Sequence, residues 1–164
     1  MVDSCGLGLR LGHQIRIFKE VNLDLNPFED HEIHTQLVRP ENGKFIIKPG
    51  EFVLCSSLEY VSLPEDLAAR LLSRNSLNRL GIILVGTAGM IEPGFEGNLT
   101  FAIGNVSRTP VILYPEMHFC KLVFETLTSS AEVPYYKQKG SKYNKQKGPV
   151  ASRLHLERNL KYFK

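Results

Sequence analysis

Three cysteines, Cys5, Cys55 and Cys120, stand far apart, with no C-x-x-C pair and no histidine at ligand spacing. That excludes a disulfide framework and a structural zinc site, and predicts reduced, mostly packed thiols. The H-x-E followed by P-C-x-x-C of zinc-dependent nucleobase deaminases is also missing, so any deamination by this chain would have to be metal-free. No apolar run reaches the roughly eighteen residues that a membrane-spanning helix needs. The opening "MVDSCGLGLRLG" lacks the basic stretch and apolar block of a secretory signal, which gives the expectation of a cytoplasmic protein. There is no internal repeat, no dividing linker and no long helical periodicity.

What is present suits one globular β domain. The 164 residues, 43% hydrophobic and 23% charged, are enough for a single core without staples. "HQIRIF", "KFIIK", "EFVLCS", "EYVSL", "GIILV", "NLTFAI", "VILY" and "KLVFETL" are short runs rich in Val, Ile, Leu and Phe. Gly, Pro, Asn or Ser separates them at the spacing of a sandwich or barrel. Two stretches read as short helices. "PEDLAARLL" opens with Pro64 and two acids, as a helix start prefers, and "SRNSLNRLG" forms a turn or two closing at Gly81. The closing "ASRLHLERNLKYFK" places its apolar residues poorly for a helical face and is left open.

The net charge of +3 conceals an asymmetry. From Lys137 onward there are nine Lys or Arg and one Glu, whereas the preceding residues carry eleven against sixteen acids. "KQKGSKYNKQKG" therefore reads as a basic arm suited to a polyanion, or as a solvated tail with no ligand.

Two constellations could carry chemistry. In "SRNSLNRLG", Arg74, Ser76, Asn78 and Arg79 put two guanidinium groups and a hydroxyl within a short turn, which suits phosphate oxygens. The competing reading is a surface turn whose arginines pair with acids. In "TAGMIEPGFEGN", Gly89, Gly94 and Gly97 permit turns and Pro93 is pre-set for the second position of one, with Glu92 at its shoulder. Glu92 is a candidate general base or plain turn decoration, and Glu96 reads as a solvated turn residue. Phe95 stacks on a ligand or belongs to the core; spacing does not decide.

Together these stretches resemble the dCTP deaminase and trimeric dUTPase superfamily. "RNSLNRLG" is similar to its R-S-S-L-x-R-x-G, and "TAGMIEPGFEG" to its T-A-G/H-x-I-D-x-G-F/W-x-G. "YYKQKGSKYNKQKGPVASR" resembles the closing Y-x6-K-Y-x3-Q-x-G of the deaminase branch, and "LGLRLG", "LPEDLAARL" and "VILYPEMHFCKLVFETL" extend the likeness along the chain. Three ordered motifs with matched spacing are far more specific than one. The resemblance implies an all-β, distorted jelly-roll-like β barrel (dUTPase-like, β-clip) with short connecting helices, assembled as a homotrimer with nucleotide sites between subunits. Residues 1–134 would be the barrel domain and 135–164 a basic arm closing over the nucleotide. Neither nucleic acid nor membrane is an implied partner.

By position, Arg74, Asn75, Ser76, Leu77, Asn78 and Arg79 would form the triphosphate segment. Glu92, with Gly89 nearby, would stand at the sugar and attacking water, and Phe95 would pack on the deoxyribose. Main chain around Leu99, Thr100, Phe101 and Ala102 would read the pyrimidine, while Tyr135, Lys142 and Gln146 close over the ligand. Glu92 and Ser76 are the implied catalytic pair. Mg²⁺ would be held through substrate phosphates and water, with no dedicated protein ligands.

The family's strand has a Glu that shuttles protons in deaminating members; "TFAIGN" puts Ala102 there. Gly89 also resembles diphosphatases and bifunctional members rather than pure deaminases. The leading expectation is therefore a dUTP diphosphatase, releasing dUMP and pyrophosphate. The alternatives are a dCTP deaminase or bifunctional enzyme, and a non-catalytic nucleotide-binding regulatory trimer. Departures from the family are Glu92 for Asp, Asn75 for Ser, Gly8 for Asp, and a start close to the family's S-Y-D-L-R-L-G without its opening segment.

Overall fold

The computed structural model describes residues 2–19, 26, 28–85 and 90–157. The strands are β1 (Val2–Asp3), β2 (Gly6–Phe18), β3 (Thr35–Val38), β4 (Phe45–Ile47), β5 (Phe52–Ser62), β6 (Leu67–Ser73), β7 (Ile82–Val85), β8 (Met90–Ile91), β9 (Glu96–Asn105), β10 (Val111–Leu113) and β11 (His118–Thr126). One short helix, α1 (Asn75–Asn78), and 3₁₀ turns at His31–His34, Tyr135–Lys137 and Leu154–Leu156 complete the described elements.

A curled antiparallel sheet runs β7-β9-β5-β2-β11-β6-β8, with β1 and β3 also on β2, and β10 pairs with β4 separately. β9 shows the period-two logic plainly. Leu99, Phe101 and Ile103 point inward and are buried, whereas Asn98, Thr100 and Ala102 alternate outward and are half-buried. Phe101 stacks on Phe119 with ring centroids 5.2 Å apart, and Leu9, Leu11, Val53, Cys55 and Leu122 close the same core. Cys55 and Cys120 are packed thiols as expected, and Cys5 is exposed. Burial, with Glu59 adding to it, pushes the Cys120 thiol up to about 12.

The helix expected over "PEDLAARLL" is not there: Leu67–Ser73 is strand β6, paired with β11 from Ser73↔Cys120 to Leu67↔Thr126 and with β8 on its other edge. Pro64 and the two acids sit in the preceding turn. An isolated stretch of Ala, Arg and Leu favours helix, but two flanking strands satisfy its backbone and its alanines fit under the sheet, so tertiary pairing overrides propensity. "SRNSLNRLG" does form its turn of helix, closed by Gly81 at φ +87°. "EFVLCS" and "EYVSL" are one strand, bent where the β5·β9 register shifts between Ser56 and Tyr60.

Asn105 locks the far end of β9. Its Nδ2 donates to Ile47 O and Thr109 O, both at 2.9 Å, and its Oδ1 accepts from Ser107 N at 2.9 Å and Ser107 Oγ at 2.7 Å. The side chain is 1% exposed. Asn105→Leu strands those partners, so the variant should be less stable by about 2–4 kcal/mol. Urea unfolding checks this: a lower midpoint at unchanged slope is expected.

Candidate functional site

The turn that carries Glu92 forms because its sequence meets a tight turn's demands. Phe95 N–H bonds Glu92 O at 3.1 Å across Pro93 and Gly94, and Gly94 adopts φ +78°. A side chain at Gly94 would also collide with Pro134 and Tyr136. The segment that begins the basic arm is therefore seated on this turn. Tyr135 N–H donates to Pro93 O at 2.7 Å, and the Tyr135 and Phe95 rings lie 5.7 Å apart. Phe95 is only 7% exposed, so the ring is a core residue that offers a ligand no more than its rim. The Glu92 carboxylate is exposed and accepts from Gln138 Nε2 at 2.7 Å. Glu96 is not a free turn residue: it opens β9, accepts from Tyr60 Oη at 3.0 Å and lies 3.8 Å from Lys145 Nζ.

Beyond the turn, the arm lies along the outer face of β9. Gln146 bridges Gly97 in parallel fashion, its carbonyl accepting from Asn98 N–H at 3.0 Å and its Nε2 donating to Asn98 O at 2.6 Å. Gln146 Oε1 is left buried with no hydrogen-bond partner among the described residues. Leu99 N–H points the other way, to Ser57 Oγ at 2.9 Å, so strand alternation turns the N–H and C=O of Thr100 toward the edge from which Gln146 approaches. The last described pair of β7 with β9 is Val85 opposite Ala102. Among the described residues, the main chain of Thr100 thus offers one donor and one acceptor at an edge with no strand partner, beside an unpaired carboxamide oxygen. The side chains of Leu99 and Phe101 face the core, so only their backbone can serve a ligand.

Residues outside every motif hold the arm in place. Asn98 Oδ1 accepts from Gly148 N, while its Nδ2 spans the carbonyls of the β5 bend. The Arg16 guanidinium, 7% exposed, donates to Pro149 O at 3.2 Å, Thr35 Oγ1 at 2.8 Å and Glu32 Oε1 at 2.5 Å, and Glu32 Oε2 accepts from Ala151 N. Arg16→Met keeps the stem and removes all three donors. Amide hydrogen exchange over 146–151 should then speed up about tenfold or more, while β11 stays protected. Lys142 is paired with Glu157, and Tyr143 N–H donates to Tyr135 Oη at 3.1 Å, so the arm is also tied to itself. Sequence reasoning missed Asn98, Arg16 and Gln138 because none carries a spacing that marks it.

The other expected set lies elsewhere. Arg74, Asn75, Ser76, Asn78 and Arg79 are exposed around α1, and Leu77 anchors that turn in the core. Neither arginine pairs with an acid among the described residues; Arg74 donates to His118 O at 3.1 Å, and Asn78 to Ser73 Oγ at 2.9 Å. Ile91 pairs with Ala69, which puts Glu92 opposite Ala68 at one end of β6, while Arg74 follows its other end. Six residues of strand at 3.3 Å separate them by about 20 Å. Within one chain, the backbone of Arg74 therefore stands a strand's length from that of Glu92. Gly89 lies outside the described residues, and no group of three or more His, Cys, Asp or Glu among those described could hold a metal.

Comparison with known proteins agrees with this architecture. The family model described as dCTP deaminase-like matches residues 1–127. The "dCTP deaminase, dUMP-forming" of Dictyoglomus turgidum is 46% identical over 159 residues, spanning 95% of this chain and 82% of that protein. The protein of the same name from Methanobrevibacter smithii is 41% identical over 165 residues, spanning 98% and 85%. Among solved structures, the 2′-deoxycytidine 5′-triphosphate deaminase of Agrobacterium tumefaciens superposes with TM-score 0.60 at 19% identity, over 75% of this chain and 38% of that one. The dUTPase of Streptococcus mutans gives 0.51 at 16%, over 80% and 84%. The fold is thus that of the expected barrel, and the family match runs through the Glu92 turn, the β9 edge and the α1 arginines: the protein belongs to the dCTP deaminase-like family.

Proposed function

We propose that this chain is a dUTP diphosphatase. The observation that carries the reading is the outer face of β9. It presents Asn98, Thr100 and Ala102, with no carboxylate to serve as acid and base, whereas the neighbouring turn presents an exposed one, Glu92. The imide edge of uracil, a donor flanked by acceptors, suits the N–H and C=O of Thr100. Glu92 takes a proton from water as its oxygen attacks the α-phosphorus. The bond to the bridging oxygen breaks, and dUMP and pyrophosphate leave. Arg74, Arg79 and the Ser76 hydroxyl, supplied by a neighbouring copy because one chain holds the Arg74 backbone about 20 Å from that of Glu92, would neutralise the departing charge. Lys142 and the other arm lysines would join them once the arm closes on phosphates. A homotrimer in the cytoplasm, with a barrel of residues 1–134 and a covering arm of 135–164, belongs to the same reading.

Mg²⁺ fits this site as a passenger on the substrate. The described residues offer no ligand cage, and Mg²⁺ readily keeps its waters while bridging phosphates. It would supply charge neutralisation across the triphosphate. The second reading, conversion of dCTP to dUMP, is favoured by the names of the relatives. It is opposed by Ala102, since general acid–base help is worth about 10²–10⁴-fold and no zinc site replaces it. One assay tests both. With Mg²⁺, dUTP should give dUMP and pyrophosphate, and dCTP should give no ammonia above background. Ammonia from dCTP would establish the second reading, and tight binding of both nucleotides without turnover would make the protein a regulatory binder.

A further inference from the structure

We infer that Gln138 is the positioning residue for Glu92, an inference that rests on reading Glu92 as the general base. The two lie 46 residues apart in sequence, yet Gln138 Nε2 donates to Glu92 Oε2 at 2.7 Å. Among the described residues no other side chain holds this carboxylate, which is otherwise in solvent. A glutamate has one more torsion than an aspartate, and a base must be held close to its productive geometry for water to attack in line. Gln138 removes that extra freedom from outside the turn.

The backbone that carries Gln138 is itself fixed to the backbone that carries Glu92. Tyr135 N–H bonds Pro93 O at 2.7 Å, Gln138 N–H closes the 3₁₀ turn on Tyr135 O at 3.2 Å, and Pro134 packs where only glycine fits at position 94. On the outer side of this turn, Tyr136 Oη donates to Glu65 and Lys137 Nζ lies 3.8 Å from the same carboxylate. The seat is therefore clamped from both sides, and the carboxamide reaches Glu92 from a defined origin.

The type of donor also matters. Gln138 is flanked by Lys137 and Lys139, and either ammonium would have paired with Glu92 more strongly. Lys137 instead faces Glu65. A neutral N–H orients the carboxylate and cannot surrender a full charge to it, and it engages Oε2 only. Oε1 remains available to accept the proton of a water. Because Gln138 belongs to the segment that leads into the arm, the arm's first turn sets the base even before its lysines meet a phosphate.

The test is a double-mutant cycle on the full-length protein, following pyrophosphate release from dUTP with Mg²⁺. Gln138→Met keeps length and removes the donor. It should lower kcat by about ten- to a hundredfold, the scale of a misplaced reacting group, with KM and melting temperature unchanged. In a Glu92→Gln background the same substitution should cost nothing further, because its effect passes through the carboxylate. A normal kcat in Gln138→Met, with Glu92→Gln impaired, overturns the inference and leaves the base reading standing. So does a loss that multiplies that of Glu92→Gln. Full turnover by Glu92→Gln alone would remove the base reading and the inference with it. Gln138→Leu, which also lacks a donor and adds no charge, repeats the cycle if the methionine variant does not fold.

Discussion

Glu92→Gln lowers dUTP turnover by about 10²-fold or more and leaves affinity for a non-hydrolysable dUTP analogue nearly unchanged. The substitution keeps length and planarity, and it removes only the ability to take a proton. The turn beneath it is set by Pro93, by Gly94 at φ +78° and by the bond from Tyr135, none of which involves the carboxylate. The site should therefore keep its shape and lose its chemistry. Steady-state kinetics paired with calorimetric binding separate the two quantities. Unchanged turnover would move the base elsewhere. Equal loss of turnover and binding would make Glu92 a binding residue only.

The second large effect is recovery on mixing. Arg79→Ala and Glu92→Gln should each be nearly inactive, yet mixed trimers of the two should regain about a third of wild-type activity, since one interface in three then pairs an intact arginine face with an intact carboxylate face. The reason is the register of β6. With Ile91 opposite Ala69, Glu92 and Arg74 lie at opposite ends of one strand, too far apart to grip a single triphosphate from within one chain. Co-expression with two affinity tags, followed by tandem purification, yields the mixed particles. Mixed particles no more active than either parent would refute a shared site, as would a monomeric mass for the active wild type by light scattering.

Both predictions depend on residues that are easy to see in sequence, whereas the pieces joining them are not. The alternation of Leu99, Phe101 and Ile103 with Asn98, Thr100 and Ala102 is written into the chain, because a strand buried on one face must repeat every second residue. The glycines at 81 and 94 are legible too, since only glycine adopts those φ values without strain. "PEDLAARLL" misleads for the opposite reason. Its composition is neutral to helical, and its state is settled by β11 and β8, strands separated from it by long stretches of chain.

The sequence by itself determined a mainly β fold with mostly packed thiols, the glycine-bordered turn at Glu92 and the arginine-bearing turn at Arg74–Arg79. These follow from local rules, of periodicity, turn stereochemistry and side-chain chemistry, which act within a few residues. Only the tertiary structure decided that the arm rides on β9 through Gln146, that Arg16 and Glu32 fasten it, that Gln138 reaches Glu92, and that the arginines stand a strand's length away. Those relations are made by contacts between residues 16 to 133 positions apart, and their energies depend on the register and burial that the whole sheet imposes.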